Sequence, residues 1–331
     1  MAKNNDTGTE TKGQKKSLAT RDGFGQGLVE AGKKNKQVVV LSADLTESTR
    51  CLPFKKQFPE RFIQLGVSEQ SMASIAAGMS LVGKIPFITS YAVFSPGRNW
   101  EQVRTCIALQ NSNVKIVGSH AGLNVGPDGA SHQGLEDIAL TRVLPNMTVV
   151  VPCDAEEARK ATLAAAELVG PVYLRLTRES SPAITVTNSP FKIGRAETLR
   201  PGKDATIIAA GPIVFEAIEA AKILKQKNNL NVRVINCHTI KPLDQKTILT
   251  AAKQTGAIVT AEEHMMAGGL GSAVAELLVA TYPVPMEFVG VKDKFGESGK
   301  PMELMKKYGL LAENIVKAVL RAIKRKNNNC K

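Results

Sequence analysis

The sequence predicts an α/β protein built of two consecutive domains with mostly parallel sheets. Short apolar runs such as residues 38–41 and 205–209 alternate along the whole chain with segments whose apolar residues recur at helical spacing. A stretch punctuated by proline and glycine, residues 183–203, separates two such blocks and puts a boundary near residue 190. At 331 residues the chain has material for about two domains of roughly 150 residues and is long enough to bury a full core without disulfide or metal staples.

In chain order, a helix is expected to begin near Asp22, and residues 38–41 read as a buried strand. Residues 62–65 form another, ended by Gly66. Residues 68–83 read as a helix, with Met72, Ile75, Ala76 and Met79 on one face. Strands follow over 114–117 and 147–151, then a helix over 155–168. Its Glu156 and Glu157 stand in the first turn, where the macrodipole favours carboxylates. A strand over 173–176 ends the first block. The second block reads as strands 205–209, 232–235, 257–261 and 286–289 alternating with helices 214–225, 245–253 and 270–280. Such alternation implies right-handed crossovers and ligands at the carboxyl ends of the strands. The expected organisation is a basic tail over 1–16, domains over 17–190 and 191–325, and a second tail over 326–331.

Composition excludes several classes of function. Apolar residues make up 43% and charged residues 22%, an ordinary globular balance. The longest apolar stretch, 205–215, is broken by Gly211 and Pro212, so no membrane span is expected. Residues 1–16 are polar and lack the apolar centre of a secretory signal. Five cysteines without short spacing point to a reduced, cytoplasmic chain. The net charge is +13, but about half of it lies in the terminal segments 1–16 and 321–331, and aromatics are only 5%. That pattern argues against a nucleic-acid-binding face. Local positive charge would equally suit a phosphorylated small substrate.

The residues that could carry chemistry cluster after strands. Asp44, in Ser42-Ala43-Asp44-Leu45-Thr46-Glu47-Ser48, reads locally as a cap or turn residue. It could also face a bound ligand's positive charge, with Ser48 donating to a phosphate. Glu69 follows a candidate cap, Ser68, and fits the first turn of a helix. That helix is nearly free of charge, a setting suited to a carboxyl group sharing a proton with a buried ring nitrogen. Residues 119–134 hold His120, His132, Asp128 and the glycines Gly122, Gly126, Gly129 and Gly134. The histidines lack a neighbouring Cys or Glu pattern, so a polar substrate loop is expected rather than a metal site. Tyr91, Phe94, Arg98 and Trp100 could line a flat heterocycle, although core packing explains any one of them alone. Arg178 ends a strand and Arg21 precedes a helix. Either alone reads as a surface charge, yet the guanidinium fork suits phosphate. The glycine clusters 23–27 and 268–271 do not match a dinucleotide fingerprint. His264, after the strand 257–261, is a further candidate, though a satisfied structural histidine is the commoner reading.

Taken in order, five motifs resemble the C-terminal half of transketolase, over about residues 17–320. They are Ala19-Thr20-Arg21, the Ser42 to Ser48 motif, Gly66-Val67-Ser68-Glu69-Gln70, Gly126-Pro127-Asp128-Gly129-Ala130-Ser131-His132-Gln133 and Leu176-Thr177-Arg178. Phe295-Gly296-Glu297-Ser298-Gly299 fits the family's last domain. The resemblance implies a thiamine-diphosphate pyrimidine-binding domain followed by a transketolase C-terminal domain. It implies transfer of a two-carbon ketol unit from a ketose phosphate, xylulose 5-phosphate, to an aldose phosphate, ribose 5-phosphate. Catalytic roles fall to Glu69, His132 and His120. Glu69 would bond the aminopyrimidine nitrogen of thiamine diphosphate, Phe94 would stack on that ring with Tyr91 near it, and Asp44 would border the cofactor and substrate channel. Arg21, Ser48, His120 and Arg178 would hold the sugar phosphate, while Asp128 and His132 would meet sugar hydroxyls and the reacting carbonyl.

The chain lacks the family's Gly-Asp-Gly diphosphate and magnesium motif. The resemblance therefore implies a separate N-terminal subunit that brings the diphosphate-binding domain and most of the Mg2+ site, in a heterotetramer of two copies of each chain. Segment 91–100 is closer to deoxyxylulose-phosphate synthase. A synthase-like enzyme and the β subunit of a 2-oxo-acid dehydrogenase are the alternatives. The set His120, Asp128, His132 and Arg178 suits sugar phosphates and argues against the dehydrogenase.

Overall fold

The apolar runs become the middles of two sheets. The computed structural model describes residues 17–328, so the basic tail expected over 1–16 lies outside the described residues. In the first block the strands are β1 (Val38–Ser42), β2 (Phe62–Gln64), β3 (Ile85–Tyr91), β4 (Lys115–Ser119), β5 (Thr148–Val150) and β6 (Val172–Arg175). The second block supplies β7 (Glu197–Arg200), β8 (Ala205–Ala210), β9 (Val232–Asn236), β10 (Thr239–Lys241), β11 (Ile258–Met265) and β12 (Met286–Val291). One sheet runs β10-β5-β6-β4-β3-β1-β2 and the other β12-β11-β8-β9-β7. Every pairing is parallel except the edge pairs β10 with β5 and β7 with β9.

The sequence pattern does not announce β3. Its run Ile-Pro-Phe-Ile-Thr-Ser-Tyr is interrupted by Pro86, Thr89 and Ser90, yet it sits between β1 and β4. Pro86 is tolerated because the pairing with β4 begins only at Phe87. Thr89 and Ser90 are fully buried, and Thr89 Oγ1 donates to the Leu41 carbonyl at 3.2 Å.

The helices are α1 (Thr20–Lys34), α2 (Leu52–Gln57), α3 (Glu69–Leu81), α4 (Trp100–Gln102), α5 (Asp137–Arg142), α6 (Ala155–Glu167), α7 (Val214–Asn228), α8 (Gln245–Thr255), α9 (Leu270–Thr281), α10 (Pro301–Lys307) and α11 (Ala312–Asn328). Residues 326–328, assigned to a tail above, continue α11. This helix buries Ile315, Ala318, Val319 and Ala322, and Lys326 Nζ donates to the Thr255 carbonyl at 2.8 Å. Arg321 and Arg325 pair with Glu287 at 2.8 and 2.9 Å. The Lys/Arg run had hidden an amphipathic helix in which Arg321, Arg325 and Lys326 have fixed partners.

Gly23 and Gly27 let α1 lie against α6. A Cβ on Gly23 would fall 1.8 Å from the Ala155 carbonyl oxygen, and one on Gly27 would fall 2.7 Å from that of Arg159. Backbone cannot rotate away. Gly23→Ala is therefore expected to destabilise the chain by about 1–3 kcal/mol through overpacking, despite the roughly 0.8–1 kcal/mol that alanine gains over glycine in a helix. A urea midpoint unchanged or raised would contradict this.

Of three core clusters, the largest joins the two blocks. Met72, Ile138, Met147 and Val149 of the first pack in the same cluster as Ile208, Ile235, Ile240, Leu270 and Val274 of the second. Under that contact lies a buried ion pair, Arg175 Nε to Asp137 Oδ2 at 2.8 Å, which also accepts from the Tyr173 hydroxyl at 2.6 Å. Arg175 reaches on to the carbonyl of Glu263 at 2.9 Å. Among the described residues no helix is long and apolar enough to cross a membrane.

Candidate active site

In the first sheet β6, β4, β3 and β1 are consecutive and parallel, so their carboxyl ends lie side by side. The segments leaving those ends bring most of the candidate residues together.

Glu69 is the first residue of α3 and is 1% exposed. Ser68 does not cap the helix; its hydroxyl donates back to the Leu65 carbonyl at 2.8 Å. The surroundings of Glu69 are less apolar than the helix sequence suggests. Its carboxylate accepts from Ser90 Oγ at 3.2 Å and from Arg98 Nη1 at 2.9 Å. Asn99 Nδ2 donates to its carbonyl at 3.2 Å. The Arg98 guanidinium also lies 4.5 Å over the Phe94 ring. Arg98 thus touches both a buried carboxylate and an aromatic face, while its own side chain is 46% exposed.

Behind Phe94 the rings run on. Tyr91 lies parallel to Phe94 at 6.0 Å and stacks on His120 at 3.9 Å. His132 stands edge-on to Phe94 at 5.4 Å and to Tyr91 at 6.2 Å. Trp100 is not part of this wall; its indole donates to the Leu140 carbonyl at 2.8 Å and packs on the core.

His120 links the rings to a cationic end. It holds a left-handed φ of 55°, rare for a residue with a side chain. Arg21 Nη1 lies 3.1 Å from its Nε2 and 3.1 Å from the Ser48 carbonyl. Because arginine only donates, Nε2 accepts, and Nδ1–H then donates to Ser119 Oγ at 2.9 Å. Burial, followed by the charges of Arg21, Arg178 and Arg50, pushes the His120 pKa down to about 3, so the ring is neutral at physiological pH. Arg21 Nε is buried without an acceptor. This unpaired donor beside two further arginines is a ready contact for an anion. Arg178 Nη1 donates to the Val125 carbonyl at 2.9 Å and lies 3.6 Å from the Asp128 carboxylate.

Two candidates sit differently from expectation. Ser48 meets Arg21 through its carbonyl rather than its hydroxyl. Asp44 is exposed at φ 59°, and its carboxylate accepts from Gln64 Nε2 at 3.3 Å. His264 is a buried structural residue, with Nδ1 at 2.8 Å from the Met265 carbonyl and Nε2 accepting from Ala139 N at 3.4 Å. Sequence reasoning missed Ser90, Asn124 and Glu263. Ser90 was hidden with the strand that carries it. Asn124 and Glu263 meet across 139 residues of chain, which leaves no local signal.

Residues 16–183 match the family model of the transketolase pyrimidine-binding domain, and residues 194–315 match that of the transketolase C-terminal domain. The chain belongs to the transketolase family. It is 44% identical over 308 residues to a putative transketolase C-terminal section of Methanocaldococcus jannaschii, covering 92% of this chain and 96% of that protein. It is 41% identical to the 6-deoxy-6-sulfo-D-fructose transketolase subunit SqwH of a Clostridium species, covering 93% and 95% of the two chains. A solved structure described as a split-gene transketolase, inactive β4 tetramer, superposes with a TM-score of 0.88 at 48% identity, over 93% of this chain and 99% of that one.

Transketolase-family membership implies use of thiamine diphosphate. The residues of this family member fit the aminopyrimidine end of that cofactor: a buried carboxylate, Glu69, lies next to an aromatic face, Phe94, and both are bridged by a half-exposed guanidinium. Among the described residues no group of three His, Cys, Asp or Glu side chains is placed to hold a metal ion.

Proposed function

We propose that this chain is the C-terminal subunit of a split transketolase. It passes a two-carbon ketol unit from xylulose 5-phosphate to ribose 5-phosphate, and only in company with an N-terminal subunit. The observation that carries this reading is the line from the buried Glu69 carboxylate, through Arg98 and the Phe94, Tyr91 and His120 rings, to Arg21, with the Arg178 charge close enough to act on His120. A proton-handling group thus stands at one end of an aromatic wall and anion ligands at the other.

When bound, thiamine diphosphate supplies the electron sink for cleaving the ketose carbon–carbon bond. Glu69 holds the proton shared with the aminopyrimidine nitrogen, and Phe94 stacks on that ring. Arg98 contacts both of these groups. It must therefore turn outward as the cofactor enters, and its exposure permits this. Neutral His120, fixed by Arg21 and Ser119, and His132, against the same rings, orient the reacting carbonyl and sugar hydroxyls, with Asp128 beside Arg178. Arg21, Arg178 and the Ser48 turn hold the substrate's anionic end, and Asp44 borders the channel. The chain carries no Gly-Asp-Gly motif. The partner accordingly brings the diphosphate-binding domain and most of the Mg2+ site, in an assembly of two copies of each chain in the cytoplasm. An arginine and histidine cluster also suits a sulfonate, and the relative named for a sulfonated fructose favours testing one.

The chain is mixed with the N-terminal-half protein, thiamine diphosphate and Mg2+, then given xylulose 5-phosphate and ribose 5-phosphate, with glyceraldehyde 3-phosphate as readout. Turnover is expected only with both chains present. A stable complex that binds the cofactor but turns over only 6-deoxy-6-sulfofructose would reassign the donor. One that turns over only pyruvate would move the reading to the dehydrogenase or synthase.

A further inference from the structure

We propose that Glu263, a carboxylate of the second domain, is the positioning residue for the anion-binding arginine Arg178. It acts through Asn124, so that the second domain sets the affinity of a site built in the first. The inference rests on the reading of Arg178 as a ligand for the substrate's anionic group.

Glu263 lies in β11 and is 4% exposed. Its two oxygens are divided between two donors of one residue. Oε1 accepts from the Asn124 backbone N–H at 2.8 Å, and Oε2 accepts from Asn124 Nδ2 at 3.0 Å. The remaining polar atom of that amide, Oδ1, accepts from the backbone N–H of Arg178 at 3.2 Å. Arg178 then bends back so that its guanidinium donates to the next carbonyl of the same loop, Val125, at 2.9 Å. Residues 124 and 125 therefore hold Arg178 at both its backbone and its head, and Glu263 holds residue 124.

The arrangement has one polarity. Asn124 must donate to the carboxylate and accept from Arg178, so its amide cannot flip without opposing like atoms on both sides. Only a carboxylate at 263 offers acceptors to both Asn124 donors. The approach is close as well. Gly122 has a φ of 89°, and a Cβ there would fall 2.3 Å from Glu263 Oε1. A second part of the same domain holds the far side of the loop. Gln133 Nε2 donates to the Glu297 carbonyl at 3.0 Å, and a Cβ on Gly129 would fall 2.6 Å from Ser298 Oγ. Burial raises the Glu263 carboxyl above its ordinary range, opposed by Arg175 and by the Asn124 donors. A buried acid in that position persists only where its hydrogen bonds are made.

The test compares Glu263→Gln, Asn124→Ala and Arg178→Ala in the complex with the partner subunit, using phosphorylated substrates and the unphosphorylated pair erythrulose and glyceraldehyde, which yields glycolaldehyde and a pentulose. Losing a buried hydrogen bond to a charged group is worth about ten- to a hundredfold. Glu263→Gln is expected to raise KM for ribose 5-phosphate by that factor, with kcat and the unphosphorylated reaction within about twofold of the parent. Calorimetric titration of the complex with inorganic phosphate should show the same weakening without turnover. Combining Glu263→Gln with Asn124→Asp reverses the polarity of the pair. The new amide donates to the new carboxylate, which still accepts from Arg178 N, so this double variant should recover most of the phosphate affinity. If Glu263→Gln does not fold, Asn124→Ala, which leaves the carboxylate on a backbone donor, carries the same expectation. Equal losses on phosphorylated and unphosphorylated substrates, or no rescue in a folded double variant, overturn the positioning role. If Arg178→Ala itself fails to discriminate between the two substrate kinds, the reading of Arg178 as an anion ligand falls instead.

Discussion

Glu69→Ala should leave the two-chain complex assembled but reduce ketol transfer by about a hundred- to ten-thousandfold, the range associated with a lost proton-transfer group. The residue is poorly placed to be structural. It ends no core cluster, and its partners are a hydroxyl and a guanidinium that is itself half-exposed. What it does have is a fixed position: it starts α3, where its charge is favoured by the helix N-terminus, and Asn99 ties its backbone to the turn after Phe94. Glu69→Gln sharpens the experiment. It keeps the size and an acceptor for Arg98 or Ser90 but cannot exchange the proton, so it should be as inactive as the alanine variant. Assembly is followed by size-exclusion chromatography and turnover by glyceraldehyde 3-phosphate release. Turnover retained in either variant would remove Glu69 from the proton relay.

The largest effect on stability is expected at the junction of the two blocks. Asp137→Ala strands the Arg175 guanidinium, 3% exposed, without its counter-charge. Breaking a buried pair from one side costs about 3–5 kcal/mol, a large part of the stability of an ordinary domain. The variant should show a much lower urea midpoint at pH 7, and it should weaken the contact with Glu263 that Arg175 also makes. The pH dependence supplies a second reading. Burial by itself would raise the Asp137 carboxyl. The Arg175 charge and hydrogen bond, helped by the Tyr173 hydroxyl, more than offset this and hold it below the usual carboxylate range. A depressed folded-state pKa means stability that is present above about pH 4, the ordinary value for an aspartate, and lost as the pH falls through the folded value. The gap between parent and variant should therefore be constant near neutrality and narrow below about pH 4. A gap that stays constant into acid, or a loss at pH 7 below about 1 kcal/mol, would show that the pair does not carry the junction.

Much of this protein was legible before its fold was known. Strands such as β1 and β8 are covered on both faces, so they appear as nearly continuous apolar runs, and α6 shows its buried stripe at helical spacing; in α3 the buried face is Met72, Ala73, Ala76 and Ala77, while Ile75, expected on it, is exposed. Glu69, Phe94, Tyr91, His120, His132, Arg21 and Arg178 could be singled out because each belongs to a motif or stands next to a predicted strand end, and the structure brings the first six together through Arg98 and the ring contacts. The failures have physical causes. β3 was invisible because its buried Thr89 and Ser90 serve backbone and the Glu69 carboxylate rather than the core, so the central strand that reaches Glu69 is the one whose pattern is broken. α11 was invisible because Arg321, Arg325 and Lys326, although partnered by Glu287 and the Thr255 carbonyl, read as a solvated run.

Periodicity along a chain reports which faces are buried, and that much the amino-acid sequence determined by itself: two α/β blocks, most of their strands in order along the chain though not β3, β7 or β10, and the strand ends next to which a site can lie. It carries no information about which polar atom meets which once sheets close and domains share a core. That Arg98 lies on Glu69, and that Glu263 reaches across 139 residues to hold Asn124, was decided only by the tertiary structure. Such pairings depend on strand order and side-chain direction between elements far apart in the chain, and burial leaves Glu69, Asn124 and Glu263 no alternative partner in water.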